Sequence, residues 1–442
     1  MAVSSFNDLL QTILESGRVL IGNRKANNAE FQGLCEDLLS GKGEASGVAL
    51  ARLILDAYEA SSEENRLKFF NILLNRFGAD PDHVEQAIED YKSEPGQKTL
   101  SALSESSEPR RRELLRRLNL APGGTAAMVR MRAELLNFIK ENQDLKLVDG
   151  DFQHLFTSWF NRGFLELHNL TWDTSASILE KLIRYEAVHA INGWDDLRRR
   201  LQPLDRRCFS FFHPRLTDEP LIFVEVALTK DIPDKILPIL AENREDMLKA
   251  SEATTAVFYS ISNTQKGLAG ISFGNFLIKQ VAEDLRKELP NLKTFVTLSP
   301  APAFARWLDK ERANTDSSLF GDKLKGELAL LDDPDCWQDE NKQEQIRKPL
   351  MAAAACYYLQ AKTPSGKPVD PVARFHLRNG ARLEKLNFLG NPSAQGIKQS
   401  YGLMVNYLYT LSDIERNHEA FAVSGEVVTS SAIRKLLSGI DK

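Results

Sequence analysis

The feature that most constrains this chain is a change in its apolar periodicity near residue 200. Up to about residue 161, apolar side chains recur at the three- and four-residue intervals of amphipathic helices. Beyond about residue 200, short β-branched and aromatic runs typical of strands replace that pattern. The sequence therefore predicts an α+β protein, with an all-helical N-terminal bundle over residues 1–161 and a mixed α/β domain over residues 162–442.

Three apolar stripes carry the helical prediction. Their members are Leu50, Leu53, Ile54, Ala57 and Tyr58; Leu67, Phe70, Leu74 and Phe77; and Met128, Met131, Leu135 and Phe138. Gly78 follows the second stripe as a helix C-cap does, and the breaker Pro122-Gly123-Gly124 precedes the third. Residues 92–109 are rich in Ser, Glu and Pro, so the sequence predicts a long loop there.

A basic run, Arg110 to Arg112 with Arg116 and Arg117, raises the question of nucleic-acid binding. Glu113 and three leucines interrupt it, which favours a helix with a charged, solvated face. The whole chain has 56 Lys and Arg against 61 Asp and Glu, a formal charge of -5. Since no overall basic field results, we expect no nucleic-acid partner.

The four cysteines, Cys35, Cys208, Cys336 and Cys356, form no pattern that could hold a structural zinc. We expect them to be reduced thiols of a cytoplasmic protein, because residues 1–22 also lack the features of a targeting segment. The longest uncharged apolar run, Leu350 to Leu359, is about half of the roughly 20 residues that a membrane-spanning helix needs. We therefore expect no membrane segment and no bound metal.

A glycine-rich segment, residues 263–274, lies between a predicted strand, Thr255 to Ser262, and a predicted helix that starts at Asn275. Other strands are predicted at residues 208–212, 221–228 and 294–298. Backbone N–H groups at such a turn can hold a phosphate, although glycines there can equally be ordinary turn residues. The spacing is not that of a Walker A loop. The segment resembles the pyrophosphate loop of the GCN5-related acetyltransferase (GNAT) fold, which binds coenzyme A.

Two further residues have both a structural and a catalytic interpretation. Ser299, followed by Pro300, has the pattern of a helix N-cap, and the residues alone favour that interpretation over a catalytic serine. His376, between Phe375 and Leu377, has the surroundings of a partly buried structural histidine more often than those of a catalyst.

Several motifs together resemble those of the malonyl-CoA decarboxylase family. They are Tyr259 to Gly270, Leu298 to Phe304, Phe375 to Ala381 and Tyr401 to Tyr407, with Tyr185 to His189 and Val226 to Thr229 upstream. The resemblance implies conversion of malonyl-CoA to acetyl-CoA and CO2, without a cofactor, by a helical domain used for oligomer contacts and a GNAT-like catalytic domain. It also implies a homo-oligomer, either a dimer or a tetramer.

The resemblance further implies roles for individual residues. The catalytic serine falls on Ser299, the catalytic histidine on His376 and the active-site tyrosine on Tyr409. The expected CoA-binding residues, in addition to Ser299 and His376, are Gly267, Ala269, Gly270, Ile271, Ser272, Phe273, Gly274 and Asn275. Ser272 stands where some family members have a glutamate.

Two other functions remain open at this stage. A GNAT-type N-acyltransferase would use the same kind of CoA loop to transfer an acetyl group to an amine. A non-catalytic assembly protein that senses acyl-CoA would bind the ligand without turnover. The combination of Ser299, His376 and Tyr409 favours the decarboxylase over both.

Overall fold

The structure, a computed structural model, describes residues 12, 15, 31–40, 43–216, 218–242, 248–271, 277–315 and 317–437. The chain forms two compact units. Unit 1 consists of residues 1–166, 212–221 and 265–273, and unit 2 consists of residues 167–211, 222–264 and 274–442. Two short segments from beyond residue 200 therefore belong to the helical unit.

The described part of unit 1 is built on α-helices. They are α1 Phe31–Leu39, α2 Glu44–Glu59, α3 Glu63–Arg76, α4 Pro81–Ser93, α5 Gln97–Ser106, α6 Arg110–Leu120, α7 Gly124–Phe138 and α8 Lys146–Trp159. Their apolar stripes meet in a core in which Phe70, Leu73, Met128, Leu135 and Phe152 are fully buried. The helical character predicted for this region is confirmed.

Helix α5 corrects the loop prediction for residues 92–109. The segment Gln97–Ser106 is helical, and none of its residues is buried. Its only apolar residues are Leu100, Ala102 and Leu103, too few to form a clear stripe, which is why periodicity did not reveal the helix. Its first turn is closed locally, because the Gly96 N–H donates to Thr99 Oγ1 at 3.2 Å.

Helix α6 confirms the helix predicted for the basic run but not its fully solvated face. Arg110 is partly exposed and pairs with Glu36. Arg111 is buried, and its Nε donates to Asp151 Oδ2 at 2.5 Å. The prediction of a solvated face is therefore wrong for Arg111, whose charge is neutralised inside the helical unit.

A mixed sheet organises unit 2. Its strands are β1 Glu166–Leu170, β2 Arg206–Phe212, β3 Ile222–Thr229, β4 Thr255–Asn263, β5 Thr294–Thr297, β6 Ser299–Pro300, β7 Arg382–Asn387 and β8 Met404–Leu408. The strand order is β1-β2-β3-β4-β5-β8-β6, and β7 pairs with β8. Strand β4 is antiparallel to β3 and parallel to β5, and β8 is antiparallel to β5, β6 and β7.

Helices connect and cover these strands. They are α9 Ala176–Tyr185, α10 Trp194–Leu201, α11 Leu237–Leu240, α12 Leu277–Glu288, α13 Phe304–Ala313, α14 Asp322–Leu328, α15 Glu340–Leu359, α16 Pro371–Arg378, α17 Ala394–Ser400, α18 Ile414–Ser424 and α19 Ser431–Leu437. The strands predicted from sequence are present, and helix α12 lies within the predicted helix. The α+β fold class, with a helical N-terminal region followed by a mixed sheet, is confirmed.

Strands β3, β4 and β5 contribute buried side chains to one core cluster, including Ala227, Val257, Tyr259 and Val296. This packing holds the ends of β4 and β5 in place. In the described part of the chain, no helix is both long enough and apolar enough to cross a membrane. The four cysteines are free and buried.

Candidate active site

Ser299 lies in a strand, not at a helix end. It forms the two-residue strand β6 with Pro300 and pairs with Val405 of β8. Helix α13 begins later, at Phe304, with Ala303 in the N-cap position. The N-cap interpretation of Ser299 is therefore wrong, because pairing with β8 keeps the chain extended past the serine. Its hydroxyl is left to interact with side chains.

His376 lies in the last turn of helix α16. The helix begins at Pro371, and the Asp370 carboxylate caps it by accepting the Ala373 N–H at 2.7 Å. Pro at the first position and Asp at the N-cap are favourable helix-start residues. A well-defined helix start fixes the position of the imidazole about one and a half turns later.

The imidazole lies between two hydroxyl groups. His376 Nε2 lies 3.1 Å from Ser299 Oγ, and His376 Nδ1 lies 2.8 Å from the Tyr409 hydroxyl. Tyr409 directly follows strand β8. The three residues are 7%, 3% and 2% exposed, respectively. The structure thus brings Ser299, His376 and Tyr409 together in unit 2.

The surroundings keep the imidazole neutral. Burial lowers the pKa of His376 to about 3. The ring stacks on Tyr407, with ring centroids 4.5 Å apart and an interplanar angle of 25°. Burial also raises the pKa of Tyr409 well above its usual value, so the phenol retains its proton. A neutral imidazole has one donor and one acceptor nitrogen, which matches one hydroxyl partner at each nitrogen.

Thr297 determines the direction of these hydrogen bonds. Ser299 Oγ donates to Thr297 Oγ1 at 2.9 Å, so it accepts from the imidazole. His376 then carries its proton on Nε2, and Nδ1 accepts from the Tyr409 hydroxyl. Sequence reasoning missed Thr297. The available signal was its place two residues before Ser299, because alternate residues of an extended chain share a face.

A cavity of about 230 Å³ borders this hydrogen-bond chain. Ser299 and His376 contribute polar groups to its lining, whereas Val188, Phe258 and Ile261 contribute apolar side chains. Pockets for drug-sized ligands measure about 300–1,000 Å³. The smaller cavity therefore has the size for a short acyl group.

Glu186, which sequence reasoning did not single out, supports one wall of the cavity. Its carboxylate accepts the backbone N–H groups of Val188 and His189, both at 2.7 Å. It also accepts the hydroxyl proton of Ser260 on strand β4 at 2.8 Å. These bonds tie the segment that contains Val188 to β4. The sequence signal was the motif Tyr185 to His189.

The described part of the predicted CoA loop belongs to unit 1. Lys266–Leu268 form a single 3-10 turn, and Gly270 has a φ of +77°. A side chain at Gly267 would place Cβ 1.8 Å from the Val129 carbonyl oxygen, so only glycine fits there. Of the expected CoA-binding residues, Ser272, Phe273, Gly274 and Asn275 lie outside the described residues.

Family models match most of the chain. The model for the malonyl-CoA decarboxylase C-terminal domain matches residues 163–442, and the model for the malonyl-CoA decarboxylase N-terminal domain matches residues 77–160. Among curated proteins, the mitochondrial malonyl-CoA decarboxylase of Anser anser anser is 32% identical over 404 residues, which are 84% of this chain and 80% of the relative. That of Rattus norvegicus is 35% identical over 357 residues, which are 75% and 71% of the two chains.

Solved structures show the same similarity. The crystal structure of malonyl-CoA decarboxylase from Rhodopseudomonas palustris has a TM-score of 0.89 and 56% sequence identity, and the match covers 93% of this chain and 100% of that chain. The enzyme from Agrobacterium vitis has a TM-score of 0.88 and 55% identity, with coverage of 92% and 99%.

Proposed function

Because the chain belongs to the malonyl-CoA decarboxylase family and is a carboxy-lyase that converts malonyl-CoA to acetyl-CoA and CO2, we propose that Ser299, His376 and Tyr409 perform this reaction. The observation that carries the proposal is the buried hydrogen-bond chain from Tyr409 through His376 to Ser299. Two of its members line a cavity of acyl-group size.

The substrate itself accepts the electrons released by decarboxylation. When the bond between the carboxylate and the α-carbon breaks, the electron pair delocalises onto the thioester oxygen as an enolate. We therefore propose that the enzyme uses no metal and no organic cofactor, with CoA present only as part of the substrate. The apolar lining from Val188, Phe258 and Ile261 supports this chemistry, because a carboxylate loses hydration there and its charge spreads in the transition state.

Ser299 orients the malonyl carboxylate in this proposal. Its hydroxyl donates to Thr297 in the structure and can turn to donate to a carboxylate in the cavity. Decarboxylation requires the breaking bond to stand perpendicular to the thioester plane, where it overlaps the developing enolate. A hydrogen bond that holds the carboxylate in this orientation lowers the entropic part of the barrier.

His376 then acts as the general acid. The enolate carbon takes the proton of Nε2, either directly or through the Ser299 hydroxyl, and a C–H bond forms to give acetyl-CoA. The Tyr409 hydroxyl donates its proton to Nδ1, so the imidazole is neutral again, and solvent later returns a proton to Tyr409. A neutral imidazole suffices as donor because a thioester enolate is a stronger base than the imidazolate that the transfer leaves.

The glycine-rich segment anchors the CoA part of the substrate. We assign this binding to Gly267, Ala269, Gly270 and Ile271 and to the adjoining residues 272–275. Backbone N–H groups in a glycine-rich turn are suited to a pyrophosphate because no side chain prevents close approach. The exposed backbone of Gly270 supports this assignment.

One assay tests the reaction against its alternatives. The purified protein is incubated with malonyl-CoA alone, and acetyl-CoA and CO2 are followed together. We expect both products in equal amounts. An N-acyltransferase would form neither product from malonyl-CoA alone and would instead release free CoA when given acetyl-CoA and an amine. A sensor would bind malonyl-CoA, measured by calorimetry, and leave it intact.

The same proposal covers assembly and location. We assign residues 1–161 to contacts in a homo-oligomer, a dimer or tetramer, because Leu100 and Leu120 on α5 and α6 are both 46% exposed. Light scattering after size exclusion tests this, and a monomer that remains fully active would contradict it. Four buried free thiols suit a reducing compartment, and we propose the cytoplasm, to be tested by cell fractionation.

A further inference from the structure

Arg132 connects two helices of unit 1 to the glycine-rich segment. This arginine of α7 is 1% exposed. Its Nη1 donates to the carbonyl oxygens of Gly267 at 2.7 Å and of Ala269 at 3.0 Å. Its Nε donates to Asp149 Oδ1 of α8 at 2.7 Å. One guanidinium group therefore holds two backbone carbonyls and one carboxylate inside the helical unit.

The guanidinium group is fixed in orientation. Asp149 Oδ2 accepts the side-chain N–H of Gln153 at 2.6 Å, so both oxygens of the carboxylate are occupied. The planar guanidinium can satisfy several acceptors at set angles, which a lysine ammonium group cannot do in the same geometry. A buried charge with all of these partners is satisfied and has one orientation. The loop carbonyls are held in that orientation as well.

The orientation of the Ala269 carbonyl decides where the next N–H points. In a trans peptide the C=O and the following N–H point in opposite directions. Since the Ala269 carbonyl faces Arg132, the Gly270 N–H faces away from it. The N–H groups of Leu268, Ala269 and Ile271 bond to carbonyls inside the loop. Among the described residues, the N–H group of Gly270, an exposed residue, has no such acceptor.

We propose that Arg132 is a positioning residue for binding of the CoA pyrophosphate. By holding the carbonyls of Gly267 and Ala269, it directs the Gly270 N–H towards a bound phosphate without touching the substrate. The inference rests on the proposed role of this loop in CoA binding. Close approach of the loop to α7 depends on Gly267, whose missing side chain leaves room for the Val129 carbonyl. Preorganised donors bind an anion more tightly because they lose less freedom on binding.

Two substrates separate positioning from a general structural role. Malonyl-pantetheine carries the same malonyl thioester as malonyl-CoA but lacks the pyrophosphate and the nucleotide. For Arg132→Lys we expect kcat/KM with malonyl-CoA to fall about tenfold, mainly through KM, the loss that follows when a hydrogen bond to an anion is misplaced. We expect kcat/KM with malonyl-pantetheine to stay within about twofold, which is below the cost of one neutral hydrogen bond. Asp149→Asn should act in the same direction.

Arg130 provides the matched control. It lies on the same helix, but its side chain is 61% exposed and pairs with Glu59 at the surface. Arg130→Lys should leave both substrates unaffected, since exposed ion pairs contribute little. Circular dichroism and thermal unfolding show that each variant is folded, and Arg132→Lys keeps the buried charge opposite Asp149.

Two outcomes would overturn the proposal, and they differ. Equal losses with malonyl-CoA and malonyl-pantetheine, or no loss with either, would remove the positioning role of Arg132 alone. A wild-type enzyme that uses malonyl-pantetheine as well as malonyl-CoA would instead remove the pyrophosphate site from this loop, and the role of Arg132 with it. Loss confined to malonyl-CoA in Arg132→Lys, and absent in Arg130→Lys, supports the proposal.

Discussion

The hydroxyl of Tyr409 lies 2.8 Å from Nδ1 of His376, at the opposite nitrogen from Ser299. Ser299 donates to Thr297 and so accepts from the imidazole, which places the imidazole proton on Nε2. A proton on Nε2 points towards the serine and the cavity, where the enolate carbon forms. Tyr409 therefore complements the tautomer that the proposed general acid needs, because its hydroxyl donates to the unprotonated Nδ1.

Replacing Tyr409 by phenylalanine tests the contribution of this contact. Tyr409→Phe removes the hydroxyl that donates to Nδ1, so replacement of the imidazole proton after transfer is slower. We expect kcat to fall at least about tenfold, with KM nearly unchanged. A tenfold fall corresponds to about 1.4 kcal/mol, more than the roughly 1 kcal/mol of a lost neutral hydrogen bond. Steady-state kinetics measure both parameters. Tyr401→Phe, which removes a different tyrosine hydrogen bond, to Asp309, should retain full turnover.

The imidazole and the serine hydroxyl make separate contributions. His376→Asn should reduce kcat by about 10²- to 10⁴-fold, the usual cost of removing a general acid, with unchanged affinity for CoA. Ser299→Ala should also lower kcat, because the carboxylate loses its orienting partner. The rate of acetyl-CoA formation measures the loss of turnover, and calorimetry measures the affinity for CoA. Wild-type turnover in His376→Asn would contradict the general-acid role.

The buried carboxyl group of Asp370 should make the free energy of unfolding depend on pH. Burial raises the pKa of its carboxyl group from 3.8 to about 6, and the group also accepts hydrogen bonds from Tyr357 and the backbone of Ala373. The folded state holds this proton more tightly than the unfolded chain does. The resulting stability is fully present below about pH 4 and is lost as the pH rises through about 6.

Asp370→Asn cannot release that proton. Between pH 4 and 6, the free energy of unfolding should therefore fall less steeply in the variant, by at most about 1.4 kcal/mol per pH unit. Urea unfolding across this range measures the slope. Asp56→Asn removes a half-exposed carboxylate on α2 and controls for the loss of one charge. Identical slopes for wild type and Asp370→Asn would show that Asp370 does not titrate in this window.

Adding a side chain at Gly267 should destabilise the loop by steric overlap. Its substitution by alanine would place Cβ 1.8 Å from the Val129 carbonyl oxygen, so the loop or helix α7 must shift. We expect Gly267→Ala to lower the free energy of unfolding by about 1–3 kcal/mol and to raise KM for malonyl-CoA. Gly150, in helix α8, has no neighbour within 4 Å of an added Cβ, and Gly150→Ala should stabilise the protein by about 0.5–1 kcal/mol. Equal stability changes in the two variants would contradict the steric argument.

Local sequence patterns predicted elements whose stability depends on local burial. The β-branched and aromatic runs predicted strands within a few residues of β2 to β5, because these strands are buried at nearly every position and so have continuous apolar runs. Helix α5 escaped prediction because it buries none of its residues. An amphipathic pattern in the sequence indicates a helix with a buried face, and it does not detect a helix that lacks one.

Arginines show the opposite limit. Arg111 and Arg132 are charged residues of the kind expected on a solvated helix face. They are instead buried against Asp151 and Asp149, at sequence separations of 40 and 17 residues. A buried arginine is tolerated only with its acceptors in place, and the acceptors come from another helix. The sequence carries no local signal of that pairing.

By itself, the sequence determined the fold class, the glycine-rich turn and the motifs that identify the family, because these depend on residue type and short spacing. Only the tertiary structure decided that Ser299 lies in a strand beside β8. It also decided that the Ser299 hydroxyl contacts an imidazole 77 positions away, and that this imidazole contacts a tyrosine hydroxyl a further 33 positions along the chain. The physical reason is that hydrogen bonds between distant residues depend on how strands and helices pack. Periodicity in the sequence predicts each helix or strand separately. It does not predict which helices and strands pack against one another.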